Sequence, residues 1–426
     1  MTRSDRLVLV VNCGSSSLKY RLLHPGTGEV VAAGHVDPIG APAVAVHRVG
    51  RTRFERELTV ADHDAALEAM LAAFTDHGPD LAGAGAPAAV GHRVVHGGER
   101  FTTATIVDDE VLAAIEALSA LAPLHNPANA EGIRVARARL GHVPHVAVFD
   151  TAFHATIPPA AATYAVPKAW RAEHGVRRYG FHGTSHAYVS RRTAQFLGRP
   201  LESVNTVVLH LGNGASACAV AGGRSIDTSM GMTPLAGLVM GTRSGDLDPA
   251  VPEYLERVAG LDAAGVDDAL NHASGLLGLS GAGDLREVTA RAQRGDPDAE
   301  LALDVYCYRI RGYVGAYLAA LGRIDAIAFT AGVGENSALV RARSLAGLEA
   351  VGVHVDEDRN AAEPRAAEPG AAEPGAADAP GPRRISPDGA PVAVLVVPTD
   401  EEREIATQTL AAVDAAGAGS ARGATR

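Results

Sequence analysis

Several charged side chains in this sequence stand beside glycine, where little bulk separates them from a ligand. Arg243 lies in Gly241-Thr-Arg-Ser-Gly245, a loop whose pliable backbone presents one guanidinium, an arrangement suited to anion capture. Arg93 lies in Gly91-His-Arg-Val-Val-His-Gly-Gly98, which reads as a strand running into a glycine corner; an ion pair with a carboxylate of the fold would explain it equally well. Asp150 ends the apolar run 145–149, the strand end at which open α/β sheets place ligand-binding groups, although a turn or helix cap also uses Asp there. His182 and His186 share the stretch Arg177 to His186 with two arginines and two glycines. Their spacing of four is that of a zinc helix, but Gly183 replaces the Glu which that chemistry needs. Ser185 lacks the Gly-x-Ser-x-Gly elbow of a hydrolase nucleophile. The chemistry left is the handling of anions by guanidinium and imidazole groups.

Two hairpins suggest which anion. Val8 to Tyr20 reads as strand, small-residue turn and strand, and its turn at Asn12-Cys-Gly-Ser-Ser-Ser17 offers backbone N–H groups and three hydroxyls, with Lys19 beyond as a point charge. A polyphosphate fits such a turn; so does an ordinary serine-rich hairpin. Thr206 to Val220 repeats the pattern through His210, Leu211, Gly212, Asn213 and Gly214. The echo suggests one ancestral half used twice, with a nucleotide held between the halves. Neither turn ends in Gly-Lys-Ser/Thr before a helix, so neither is a P-loop. A third glycine stretch, Ala331 to Asn336, follows a buried strand at 324–330 and is expected to turn into a helix capped near Asn336 or Ser337, a dipole-favoured phosphate site.

The elements that must position these residues are those of an α/β protein. Two or three short strands are expected between Val30 and Ala86, followed by a helix from about Asp64 to Phe74 with Leu67, Met70, Leu71 and Phe74 on one face. Helices are expected at about 109–120 and 128–140, joined by Pro123-Leu-His-Asn-Pro127, whose prolines set the directions of His125 and Asn126. Asp248 and Pro249 read as the cap and first residue of another helix. The tyrosine stripe of helix 301–321, Tyr306, Tyr313 and Tyr317, reads as core. Residues 361–383 repeat Ala-Ala-Glu-Pro and are expected to form a disordered surface insert. The tail after Gly417 is expected to fray.

Composition narrows the class. The 426 residues, 47% of them apolar, suffice for two domains, and a net charge of −11 argues against broad nucleic-acid binding. The three cysteines have no metal-ligand spacing, and the early apolar run Leu7 to Val11 is too short for a signal or membrane segment, so a soluble cytoplasmic protein is expected. There are only two lysines, which makes Lys19 beside the first turn notable.

Taken in order, these stretches resemble the acetate kinase family, within the acetate and sugar kinase, Hsp70 and actin superfamily. The resemblance runs from about Leu7 to Leu410, apart from the repeat segment. It rests on nine motifs in order: Asn12 to Lys19, Gly91 to Gly98, Pro123 to Pro127, Asp150 to His154, Arg178 to His186, His210 to Gly214, Gly241 to Pro249, Gly332 to Asn336 and Pro398 to Glu402. It implies two ribonuclease-H-like domains with a nucleotide cleft between them, residues 1–151 plus 400–426 and residues 152–399. It also implies reversible phosphoryl transfer from ATP to acetate, with Mg²⁺ or Mn²⁺, by a homodimer.

By the same resemblance Asn12 and Glu401 are metal-site residues and Lys19 approaches the phosphates. His210 to Gly214, Asp284, Leu285, Arg286 and Gly332, Val333, Gly334, Glu335, Asn336 are nucleotide contacts. Arg93, Asp150, His182 and Arg243 are the reaction-centre set, with His125 and Asn126 close by. The acceptor's methyl group is placed among Val95, Leu124, Phe181 and Pro234. Two departures stand out: Asp400 replaces the family's usual Asn, which would add negative charge near the metal, and the loop Gly281 to Asp284 is one residue short. Propionate or butyrate kinase is one alternative. An acceptor-free ATP switch is another, although such a switch has no need of Arg93, His182 and Arg243.

Overall fold

The computed structural model describes residues 6–81, 85–362 and 381–423, with side chains as far as residue 418. It divides into two compact units, residues 6–153 with 400–423 and residues 154–362 with 381–399.

The first unit is built on an eight-stranded sheet. Its strands are β1 (Val8–Cys13), β2 (Leu18–Leu23), β3 (Val30–Asp37), β4 (Ala41–Val49), β5 (Thr52–Val60), β6 (Ala89–Val94), β7 (Thr105–Ile106) and β8 (His145–Phe149), in the order β5-β4-β3-β2-β1-β6-β8-β7. The strands from β1 to β5 pair antiparallel, while β1-β6 and β6-β8 are parallel. In β2, Leu18, Tyr20 and Leu22 are buried whereas Lys19 is exposed, the period-two pattern of a strand with one dry face. That face receives Leu67, Met70 and Phe74 of helix His63–His77 and Ala136 of helix Asn126–Arg139. The opposite face of the central strands is covered by Ile405, Ala406 and Leu410 of the closing helix, packed on Val8, Val10, Val146 and Val148. Burial on both faces explains why β1 and β8 are almost wholly apolar. Gly91 in β6 allows the closing helix its approach, because a Cβ there would stand 2.4 Å from Thr409 Oγ1.

The second unit repeats the order. Strands β9 (Asn205–Leu211), β10 (Ala215–Ala221), β11 (Arg224–Thr228), β12 (Ala326–Thr330), β13 (Arg383–Arg384) and β14 (Ala393–Val396) form a sheet of order β11-β10-β9-β12-β14-β13. As in the first unit, the opening three strands are antiparallel neighbours and the next two, β12 and β14, run parallel to the first. Helix Gly183–Phe196 packs against β9 and β12, and the long helix Pro297–Leu321 against β10. Tyr306 and Tyr317 of that helix are 2% exposed, so they are core, as the spacing predicts.

Several local expectations are corrected. Strand β12 enters a short helix, Ala331–Asn336, directly, without a glycine turn, whereas Ser337 caps the following helix, Ala338–Leu345, as expected. The helix after Pro249 starts at Val251, and Asp248 closes a turn by accepting from the Ala250 N–H at 2.9 Å. Of the expected insert 361–383, residues 363–380 lie outside the described residues; Ala361 ends a helix and Arg383 opens β13, so the boundaries were too wide. The closing helix, Glu401–Gly423, continues past Gly417, so no fraying begins there.

Candidate active site

In the first unit Arg93 and Asp150 meet because β6 and β8 are parallel neighbours and each carries its polar residue at the same end. Arg93 Nε donates to both Asp150 oxygens at 3.1 Å and Nη2 to Oδ2 at 2.8 Å. Asp150 is 1% exposed. Burial pushes its carboxyl above the ordinary range, against the pull of Arg93. The guanidinium is raised, chiefly by Asp150 and further by Glu401 and Glu402. A two-pronged pair of this kind holds the fork of Arg93 in one orientation, and removing a single partner from a buried pair costs about 3–5 kcal/mol.

The loop after β6 is fastened to helix Asn126–Arg139. Asn126 is wholly buried, accepts from His96 N–H and donates to His96 C=O, which makes it a brace of the backbone. Asn129 accepts from Val95 N–H and donates to Cys13 C=O, linking the first turn to the Arg93 loop. His125 occupies the N-cap position of that helix, and Leu124 beside it is 60% exposed.

Asn12 and Lys19 face each other across the β1-β2 hairpin and line a cavity of about 270 Å³ with Arg21 and Glu402. Glu401 bears electrostatically on Arg93 and Asp150. The departure at Asp400 has a local explanation. Its carboxylate accepts from Arg403 N–H at the head of the closing helix and from Arg21 Nη1, both at 3.1 Å, so its charge is answered by capping and by an ion pair.

In the second unit His182 precedes helix Gly183–Phe196 in a left-handed conformation, φ 56°. Its ring stacks on His210 at 4.2 Å between centroids. A Cβ built on Gly214 would stand 3.7 Å from His182 Nε2 and 3.7 Å from Arg243 Nη1, so the two cationic or donor groups converge on the space that this glycine leaves open. Arg243 is partly buried and, among the described residues, forms no ion pair; burial alone lowers its guanidinium. A partly desolvated cation without a carboxylate is a ready anion site.

The same β9-β10 turn lines a cavity of about 750 Å³, within the range of small-molecule and cofactor sites. It brings together three separate stretches singled out in the sequence: Gly212 and Asn213 from the β9-β10 turn, Asp284 to Arg286, and Gly332, Val333 and Asn336. Despite its short loop, Asp284 lines the cavity and caps helix Leu285–Gln293 through Arg286 N–H; its pairing with Arg286 lowers the carboxyl to about 2. Glu335 turns its carboxylate to Ala331 N–H and Thr399 N–H, at 2.9 and 3.3 Å, and so pins the strand-to-helix junction. Ala331 has φ 64°, and with His182 it is one of two non-glycine residues with positive φ among those described; strain of this kind gathers at functional sites.

The four residues expected around the acceptor's methyl group are divided, Val95 and Leu124 in the first unit and Phe181 and Pro234 in the second. Phe181 is 2% exposed and its carbonyl accepts from His154 Nε2. Sequence reading missed Ser216, whose hydroxyl bonds to both His182 and His186, and gave His186 and Thr399 no part in holding these groups, although Thr399 bonds to Ser185. Ser216 carried a signal: it is the one hydroxyl in the buried strand Ala215–Ala221.

Two sheets of one order, each opening on a small-residue hairpin, with a nucleotide-sized cavity on the second, define the actin-like ATPase class of α/β protein. Within that class the chain belongs to the acetokinase family, whose model matches residues 7–407. An acetate kinase of Clavibacter sepedonicus is 56% identical over 95% of this chain and 99% of its own length. One from Streptomyces avermitilis is 55% identical over 97% and 99%. Among solved structures, Porphyromonas gingivalis acetate kinase superposes with a TM-score of 0.87 at 41% identity, covering 96% of this chain and all of its own. A propionate kinase from Francisella tularensis gives 0.85 at 37%, over 95% and 99%.

Proposed function

We infer that this chain is an ATP-dependent acetate kinase, which transfers the terminal phosphoryl group of ATP to acetate and yields acetyl phosphate and ADP reversibly. The observation that carries the reading is the Arg243 guanidinium, without an ion pair among the described residues, converging with His182 on the gap at Gly214, in the same turn whose Gly212 and Asn213 line a cavity of nucleotide size, in a chain of the acetokinase family. Phosphoryl transfer passes through a loose, charge-rich transition state, so positioned cations and donors supply most of the catalysis. Arg243, His182 and Arg93, the last oriented by Asp150, are the candidates for that part. Acetate has a pKa near those of Asp and Glu, roughly 4, and is ionised at neutral pH, so no general base is required. Asp150 therefore serves as the orienter of Arg93, the part its geometry already plays. His125 completes the set beside the Arg93 loop.

The nucleotide occupies the cavity of the second unit, with its base toward Asp284 to Arg286 and Gly332 to Asn336 and its phosphates toward Gly212 to Gly214. A divalent cation, Mg²⁺ or Mn²⁺, fits the oxygen-only donors near the first turn. Among the described residues no group of three or more His, Cys, Asp or Glu could hold it alone, so Asn12 and Glu401 would share it with phosphate oxygens. When bound it draws charge from those oxygens. Val95, Leu124, Phe181 and Pro234 are the candidates for contact with the methyl group. The working unit is a cytoplasmic homodimer on this reading, and no described helix is long and apolar enough to cross a membrane.

The neighbouring propionate kinase structure supports a second acceptor. One methylene in an apolar pocket is worth about 1–3 kcal/mol, so acetate is preferred over propionate by roughly 10- to 200-fold. Acyl phosphate trapped as hydroxamate, measured across acetate, propionate and butyrate, tests this. A higher kcat/KM for propionate would reassign the acceptor.

A further inference from the structure

His182 and His186 share one hydroxyl. Ser216 Oγ, on β10, lies 2.9 Å from His182 Nδ1 and 2.8 Å from His186 Nε2, and Ser216 is wholly buried. A hydroxyl has one hydrogen to give and two lone pairs, so it either donates to one ring and accepts from the other or accepts from both; accepting from both would leave its own hydrogen buried with nothing to meet among the described residues, so it donates to one ring and accepts from the other. The far side of His186 decides which. That ring is also wholly buried, and its Nδ1 has no hydrogen-bond partner among the described residues. Burial keeps the imidazole neutral and leaves a single N–H to place. On Nδ1 it would be a buried donor with nothing to meet; on Nε2 it bonds to Ser216 and leaves only a bare lone pair. Orphaned buried N–H groups are the rarer case. The hydrogen therefore sits on His186 Nε2, Ser216 accepts it, and Ser216 turns its own hydrogen to His182 Nδ1.

We propose that Ser216 and His186 are positioning residues which lock His182 in the tautomer bearing its hydrogen on Nε2, so that the nitrogen beside Arg243 is a donor toward anionic oxygen. The proposal rests on the reading that His182 meets the transferring phosphoryl group. In the other tautomer Nε2 would turn a lone pair toward that oxygen, replacing attraction by repulsion in the gap over Gly214. No covalent bond changes; only hydrogen positions are set. The neighbouring ring is held in the same manner, since Ser185 Oγ lies 2.8 Å from His210 Nδ1 and 2.9 Å from Thr399 Oγ1. Consecutive residues of one helical turn, Ser185 and His186, thus orient the two stacked imidazoles.

The test joins spectroscopy and kinetics on the full chain. In ¹⁵N-histidine-labelled protein, with the His182 signals assigned by their loss in His182→Asn, Nδ1 should show the pyridine-type shift and Nε2 the pyrrole-type shift. Ser216→Ala should abolish that preference and lower kcat about 10- to 100-fold, with KM for ATP and acetate moving less than about threefold. Ser216→Thr keeps the hydroxyl, and His186→Gln keeps an N–H donor toward it, so both should retain kcat within about threefold of wild type; His186→Leu should follow Ser216→Ala. A pyrrole-type Nδ1 in the wild type, or wild-type kcat in folded Ser216→Ala, overturns the proposal. If Ser216→Ala does not fold, the wild-type spectrum and the His186 pair decide. Wild-type kcat in His182→Asn would instead remove the underlying reading of His182, a failure told apart by an unaltered tautomer pattern in the wild type.

Discussion

Arg93 and Arg243 are both arginines among glycines, yet the structure treats them differently. Arg93 is clasped by a buried carboxylate, whereas Arg243 meets no acid among the described residues. The sequence could not separate these cases, because an arginine's partner is set by strands that lie far apart in the chain. Arg243→Ala and Arg93→Ala are each expected to lower kcat/KM about 100-fold or more. Only Arg93→Ala should also cost stability, because it leaves Asp150 buried and unpaired. Urea denaturation of the two variants beside their kinetics checks this; equal stabilities would mean that the Arg93–Asp150 pair contributes little to the fold. Asp400→Asn should be nearly silent. Asparagine caps a helix as well as aspartate does, and the lost contact with Arg21 is a partly exposed ion pair worth under about 1 kcal/mol. Activity changed more than about threefold in that variant would show that the Asp400 charge reaches the metal after all.

The hairpins were legible as elements because their strands are rich in β-branched residues and their turns in small ones. What their turns surround was legible only in part. That Gly212, Asp284 and Gly332 line one cavity follows from the parallel placement of β9 and β12 and from the packing of helix Leu285–Gln293, neither of which a local pattern encodes. The junction at Ala331 was misread for a related reason, since a non-glycine residue at positive φ is held there by Glu335 and not by its own preference. Two glycines give the cavity a direct test. Gly214→Ala meets its nearest neighbours at ordinary contact distance, so the fold should persist while the methyl fills the gap between Arg243 and His182; a fall in kcat/KM of tenfold or more is expected. Gly241→Ala would bring a Cβ within 2.1 Å of Asn213 Oδ1 and 3.0 Å of Gly283 C=O, which displaces the cavity wall and should weaken ATP binding. Unchanged nucleotide affinity, by calorimetry, would place the nucleotide elsewhere.

At the scale of the whole molecule, the repeated strand order of the two units is the deepest regularity, and the echo between Val8 to Tyr20 and Thr206 to Val220 was its visible trace. The chain also buries many histidines. His92, His145, His154 and His186 all have their imidazoles lowered chiefly by burial, His154 to about 4. Above pH 6.5 both folded and unfolded forms hold them neutral, so they add no pH dependence. Below 6.5 the unfolded chain takes up protons that the folded chain refuses, and stability falls toward pH 4 with a slope of up to about 1.4 kcal/mol per unit per histidine. Asp150 and Asp227, raised by burial, act in the opposite sense nearer the carboxylate range, so the histidine signature is clearest between pH 6.5 and 5.5. A urea midpoint that stays constant from pH 7.5 to 5.5 would contradict it.

For an acetate kinase the nucleotide's phosphoryl group goes to a carboxylate and not to water, and that transfer is open to direct measurement. The decisive measurement follows ADP and acetyl phosphate together, from ATP and a divalent cation, with acetate present and absent. ADP formation should depend on acetate and equal acetyl phosphate one for one. ADP released at the same rate without acetate, and without acyl phosphate, would contradict it and make the chain an ATP-hydrolysing switch.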